Sequence, residues 1–258
     1  FDDEDLDFQF WGLFAGVDIP EVGRGEVFLL GLHENDQPDL ATRKRDLYTP
    51  GFRVFQKPAL EQFDYQFESA FQFGRSRTST TAPTRSDHFA HFHHVEVGYT
   101  FDVPWSPRVV AQYDYASGDQ NPTDGDNNRF DTQFGARRFD FGPTGIYGPF
   151  ARGNLNTPGI RVQFKPTKKV SSFVAIRSFL LADRKDTWTS GVRDPEGKSG
   201  SYLGTQLEMR VRWNILPGNL KLEAGYAHLF DGEFMQDAPN SNKQGDLNYV
   251  YTQFVLNL

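Results

Sequence analysis

Residues 62–74 alternate two chemistries at every second position. Phe63, Tyr65, Phe67, Phe71 and Phe73, with Ser69 among them, take the odd positions; Gln62, Asp64, Gln66, Glu68, Ala70, Gln72 and Gly74 take the even ones. A period of two belongs to a β-strand, because successive side chains of a strand point to opposite faces. At roughly 3.3 Å per residue the stretch spans about 40 Å, whereas strands of soluble domains usually run to about 5 to 6 residues and a tilted strand crosses a bilayer in about 9 to 11. So wide an aromatic face must be covered by something apolar, and the opposite face must meet water. A sheet with hydrocarbon outside and a wet lumen inside meets both demands.

The same pattern recurs along the chain. Alternating segments are read at 6–17, 26–33, 45–56, 62–74, 88–102, 109–116, 160–165, 169–182, 202–214, 220–230 and 247–258. Pro50 and Gly51 inside the third predict a bulge or kink. The segment 202–214 splits Leu203, Thr205, Leu207, Met209, Val211 and Trp213 from Gly204, Gln206, Glu208, Arg210 and Arg212. Connections near Val17, Pro58, Pro104, Pro166 and Pro217 are short and those between them long, the longest at 117–157. Barrels of bacterial outer membranes have short periplasmic turns and long outer loops, so the alternation assigns a side to every connection. Trp105, in one short turn, suits an interfacial aromatic girdle. The fold class expected is all-β, an antiparallel up-and-down transmembrane β-barrel. A large soluble antiparallel sandwich would also alternate, but its strands would be shorter and its turns would not sort into two lengths.

Composition is compatible. No run of about 18 apolar residues exists, which excludes a transmembrane helix, while most of the 25 Phe and 10 Tyr are spread through the alternating segments. The absence of Cys argues against a disulfide-stapled secreted domain. A net charge of -7 leaves no basic footprint for nucleic acid, so an anionic ligand must be met by locally placed Arg and Lys. The opening FDDEDLDFQFWG carries neither a basic n-region nor an apolar h-region and reads as a strand already under way. Eleven strands is an odd number for a single-chain bacterial barrel. Residues 1–258 are therefore expected to be one barrel domain, the C-terminal part of a larger barrel, unless the count is wrong by one.

Arg161, Lys165, Arg177, Arg210, Arg212 and Lys221 share the lumen parity, with Arg53 from an earlier strand. An Arg or Lys facing lipid at the midplane costs about 2 to 4 kcal/mol, which turns these side chains inward. There they either pair with Asp64, Glu68, Glu96, Glu208 and Glu223 as a solvated wall, or form a cationic track for a polyanion. His88, His91, His93 and His94 crowd one segment, but alternation separates His91 and His93 from His94, and no metal site or cofactor is expected from them. Asp119, Asp124 and Asp126 resemble an acidic calcium loop without its closing Glu; an Asx-turn cluster is the simpler reading. No nucleophile elbow or phosphate loop is present, and no catalytic residue is assigned.

The stretch YDYASGDQNPTDGDNNRFDTQFGARRFDFGPTGIYG, residues 113–148, resembles the signature segment of the alginate-export family of outer-membrane barrels. Leu180-Leu181-Ala182, Asp186-Thr187-Trp188, Gly232-Glu233-Phe234 and Asp237-Ala238-Pro239-Asn240 are similar to further landmarks of that family, and the likeness covers about residues 90–258. It implies an 18-stranded barrel in the outer membrane of a Gram-negative bacterium, of which this chain holds roughly the last eleven strands, with a basic lumen that passes an anionic polysaccharide. Arg161, Arg177, Arg210 and Arg212 match the family's pore-lining arginines, with Arg137 and Arg138 in the long loop as further candidates. The function expected is an outer-membrane channel for anionic polysaccharide or sugar acids, without enzymatic chemistry, whose partners are outer-membrane lipids, the anionic cargo and periplasmic export components. An outer-membrane enzyme using the rim histidines and a closed structural or adhesive barrel are the alternatives.

Overall fold

The alternating segments all become strands of one sheet. The computed structural model describes residues 6–121, 123–133, 141–189, 191–243 and 245–257. The strands are β1 (Phe8–Ile19), β2 (Gly23–Glu34), β3 (Asp46–Gln56), β4 (Phe63–Ser76), β5 (Ser86–Thr100), β6 (Arg108–Ala116), β7 (Asp126–Asn127), β8 (Leu155–Thr167), β9 (Val170–Leu180), β10 (Tyr202–Leu216), β11 (Leu220–Asp231) and β12 (Leu247–Leu256). Eleven long strands follow chain order, each antiparallel to the next. The two-residue β7 lies off this path, parallel to β5 through Asp87↔Asp126 and His88↔Asn127. The fold is an all-β, up-and-down antiparallel sheet, and the only helix among the described residues is α1 (Glu233–Asp237).

Connections sort by length. Residues 20–22, 57–62, 101–107, 168–169 and 217–219 join strands at one end; 35–45, 77–85, 117–154, 181–201 and 232–246 join them at the other. The two faces differ as sharply. Phe63, Phe67, Phe71 and Phe73 of β4 are exposed on one face, with Val97 of β5, Val109 of β6, Ile176 of β9 and Val211 of β10, whereas Asp64 and Gln72 of β4 and Glu223 of β11 are buried on the other. Trp105 stands 61% exposed in its short turn and meets the Phe164 ring edge-on, as an interfacial anchor would.

Two local expectations are corrected. Pro50 makes no bulge: the β3–β4 register lapses at Thr49 and Pro50 and resumes unchanged, Tyr48↔Phe73 and then Gly51↔Ala70. Pro lacks the N–H that a ladder bond needs, so the pairing skips a rung without gaining a residue. A bulge appears in β10 instead, where Tyr202↔Leu180 is followed by Gly204↔Phe179. The extra residue, Leu203, turns to the buried face against the parity of its strand, and Gly204 takes the positive φ of 146° that this shift requires.

The apolar cluster lies on the polar face at the long-loop end. Phe130, Phe141 and Phe150 from the 117–154 segment pack with Phe179, Leu203, Trp188 and Phe234, and Phe150 stacks on Phe179 at 3.6 Å between centroids. The 232–246 segment, one of the long connections, contributes α1 and the buried Phe234 and Ala238. The long loop therefore folds back over the sheet. At one side Gln72 Nε2 donates to Asp131 O (3.3 Å) and Gln72 Oε1 accepts the Asp131 N–H (2.8 Å); at the other the Tyr147 hydroxyl donates to Gln206 Oε1 (2.7 Å).

Candidate functional site

The charges expected to face inward lie, where they are described, on the polar face of the sheet, and they divide into paired and unpaired groups. Arg177 of β9 reaches across to β6, donating to Asp114 Oδ2 at 2.7 Å and to Gln112 Oε1 at 3.2 Å. Asp114 also meets His94 Nδ1 at 2.6 Å. Arg212 of β10 donates to Glu223 Oε2 through Nε (3.0 Å) and Nη2 (2.7 Å). Glu223 receives a third hydrogen bond from the Tyr251 hydroxyl at 3.0 Å. Gly225 makes this possible, since a Cβ there would stand 2.4 Å from the Tyr251 ring. Arg53 donates to Gln66 at 2.6 Å and lies 3.7 Å from Glu26.

Arg161 and Arg210 are different. Both guanidiniums lie over the ring of Phe173, at 4.7 and 4.5 Å from its centroid, and among the described residues neither has a carboxylate in ion-pair contact. Arg210 is the direct cross-strand neighbour of Phe173, and Arg161 lies two residues along β8 from Gln163, its partner on the other side. The negative face of an aromatic ring holds a guanidinium without neutralising it. Lys221 has no ion-pair partner among the described residues either, whereas Lys165 is exposed beside the Trp105 turn. Arg137 and Arg138 lie outside the described residues.

Arg108 was missed by the sequence reading, which began its strand at Val109. It is the most heavily tied cation of the wall: Nε donates to Asp64 Oδ2 (2.9 Å), Nη2 to Asp64 Oδ1 and to Glu96 Oε1 (2.6 Å), and Nη1 to Gln163 (3.2 Å). Gly98 clears the space, because a Cβ there would meet Arg108 Nε at 2.7 Å and Asp64 Oδ1 at 2.8 Å. Its parity with Gln112 and Asp114 was the available signal, hidden by Pro107 beside it.

A second cationic group, also unforeseen, forms where the long loop meets β2 and β3. Arg43 donates to Asp131 Oδ2 (2.8 Å), and Arg45 donates to Asp131 Oδ1 (3.1 Å) and to Glu34. With Arg129 and Arg152 these arginines line a cavity of about 230 Å³. Burial would raise the Asp131 carboxyl, but Arg43 and Arg45 hold it below the ordinary carboxylate range; burial pushes Arg129 down.

The acidic loop does not gather. Asp124 Oδ1 accepts the Asp126 N–H at 3.0 Å, an Asx turn, while Asp119 turns away to Asp186, whose Oδ2 accepts the Asp119 N–H at 3.0 Å. Burial, and then the neighbouring Asp186, push Asp119 up to about 6. The histidines are split across the sheet. His88 is buried against Gln72 and Ser76, and His94 is tied to Asp114, but His91 and His93 stand on the apolar face. Among the described residues no three His, Cys, Asp or Glu come together as a metal-binding group, and the histidines form no common catalytic site.

No curated protein matches the chain. The family model described as alginate export matches residues 1–247, nearly the whole length. On that match, and on an all-β sheet with arginines on one face and aromatic rings on the other, the chain belongs to the alginate export family.

Proposed function

We propose that the chain forms wall and constriction of a bacterial outer-membrane channel through which anionic polysaccharides or sugar acids pass without covalent chemistry. The observation that carries this reading is the pair Arg161 and Arg210 on Phe173, two inward cations with no carboxylate in ion-pair contact among the described residues. A paired wall such as Arg108 with Asp64 and Glu96 fixes strand positions but offers little net field. Unpaired guanidiniums attract carboxylates and can bind them bidentately, which lowers the barrier for an anionic sugar to leave water. The apolar face supports a lipid exterior, and the two classes of connection support long loops outside the cell and short turns toward the periplasm.

In this reading eleven long strands are part of a larger closed barrel, the lipids of the outer membrane cover the Phe63 and Phe67 row, and periplasmic export components deliver the cargo. The 117–154 loop acts as the constriction at the outer end. Reconstituted in planar bilayers, the protein should conduct anions in preference to cations and lose conductance when polyuronate is added. Cation preference, or indifference to polyuronate, would overturn the proposal. A second reading, a closed adhesive barrel, is favoured by the apolar cluster that the long loop builds over the polar face; absence of any conductance from correctly folded protein would select it.

A further inference from the structure

His91 and His93 form a unit that transport leaves unused. They share the apolar face with Phe89 and Val97, and Phe71 meets the His93 ring edge-on. His91 Nδ1 and His93 Nε2 stand 3.0 Å apart. On the far side of its ring His93 Nδ1 lies 2.5 Å from Ser69 Oγ, and the Tyr115 ring stacks on His91 with centroids 5.5 Å apart. β5 extends past the end of β6, whose pairing starts at Phe92↔Ala116, and the Ser117 N–H donates to His91 O at 2.9 Å. The pair therefore sits on the outer wall at the rim from which the long loops rise.

Two imidazole nitrogens facing each other at this distance share one hydrogen bond when nothing lies between them. The same separation is the bite of a chelate. With metal–nitrogen bonds of about 2.0 to 2.1 Å, adjacent corners of a square lie about 2.9 Å apart and those of a tetrahedron about 3.4 Å. We propose that His91 and His93 chelate one divalent transition-metal ion on the outer wall, with Cu(II) bound more tightly than Ni(II) or Zn(II), as the general order of affinities for nitrogen ligands requires. In the metal-bound tautomer His93 Nδ1–H donates to Ser69 Oγ, leaving the Nε2 lone pair for the ion, so Ser69 is a positioning residue. His91 carries its proton on Nε2 and offers Nδ1. Moving that proton between its two nitrogens frees the site without any net proton loss. Solvent fills the remaining positions.

The site does not depend on what passes through the lumen, so its test is separate from any transport measurement. Cu(II) is titrated into the full chain folded in detergent, in a buffer without amines, and read by electron paramagnetic resonance. The expected result is one ion with two equatorial nitrogens, an apparent affinity reduced at least about tenfold in His91→Gln and in His93→Gln, and no change in His33→Gln or His228→Gln. A double Gln variant that binds as wild type does, or no binding by wild type at micromolar protein, overturns the proposal. A second readout needs no variant. In protein with labelled histidine rings, Cu(II) should first broaden two of the six ring signals; equal broadening of all six, or of a single ring, also overturns it.

Discussion

Arg161 and Arg210 rest on the same ring of Phe173, at 4.7 and 4.5 Å from its centroid, from strands on either side of it. The ring keeps two like charges in place without cancelling either, whereas Arg212, two residues beyond Arg210, spends its charge on Glu223 at 2.7 Å. The double substitution Arg161→Glu and Arg210→Glu should therefore shift the reversal potential of reconstituted channels in a salt gradient toward cation preference. The double substitution Arg212→Gln and Glu223→Gln should move it much less, because it removes a matched pair and leaves the net charge of the wall unchanged. Equal shifts from the two would mean that pairing does not govern the field in the lumen.

The buried trio of Arg108, Asp64 and Glu96 should govern stability instead. Removing one member of a buried ion pair typically costs about 3 to 5 kcal/mol, and the remaining Glu96 contact makes about 3 kcal/mol the expectation for Asp64→Ala. Gly98→Ala should cost about 1 to 3 kcal/mol through overpacking, since its Cβ would force Arg108 and Asp64 apart. Urea unfolding of the refolded protein in detergent checks both. A neutral Gly98→Ala would show that the guanidinium can swing aside.

The wall was legible in the sequence because a sheet with one apolar and one polar face enforces strict alternation: Phe63, Phe67 and Phe71 lie on the exposed apolar face as their parity requires, and Arg161, Arg177, Arg210 and Arg212 on the polar face. Pairing was not legible. Arg210 and Arg212 look identical in the sequence, and only the cross-strand register, which puts Phe173 opposite one and Glu223 opposite the other, tells them apart. Leu203 escaped for a related reason, since a bulge inverts parity without any Pro or charge to announce it beyond Gly204. The Arg43, Arg45 and Arg129 cavity draws on segments far apart in the chain, and loops carry no period from which such a meeting can be read.

Gln72 anchors the long loop. Its side chain both donates to and accepts from the Asp131 backbone, and the same Oε1 lies 2.9 Å from His88 Nε2. Gln72→Ala would leave a buried N–H and carbonyl of Asp131 without partners, at about 1 to 3 kcal/mol. If the 117–154 segment is the constriction, this variant should show larger single-channel conductance and faster proteolytic nicking within the loop, with the sheet unfolding as before. Unchanged conductance with faster nicking would place the constriction elsewhere.

Asp119 should make the junction between the 117–154 and 181–201 loops sensitive to pH. Its carboxyl is pushed up to about 6 by burial and by Asp186, with Asp124 adding to the rise and Arg193 opposing it; Arg129 lies 3.6 Å from Asp186. An ordinary aspartate in the unfolded chain titrates near 4. Between these two values the folded state holds a proton that the unfolded state has released, so the contribution is complete below about pH 4 and is lost as pH rises through about 6. The Asp119 amide, which donates to Asp186 Oδ2 at 3.0 Å, reports on the junction. After correction for intrinsic exchange, its hydrogen exchange should be slower at about pH 5 than at about pH 7. Asp119→Asn, which keeps the shape and removes the charge, should abolish that difference and leave the amide protected at both pH values. A wild-type amide protected equally across the range would mean that Asp119 ionises without disturbing the contact with Asp186.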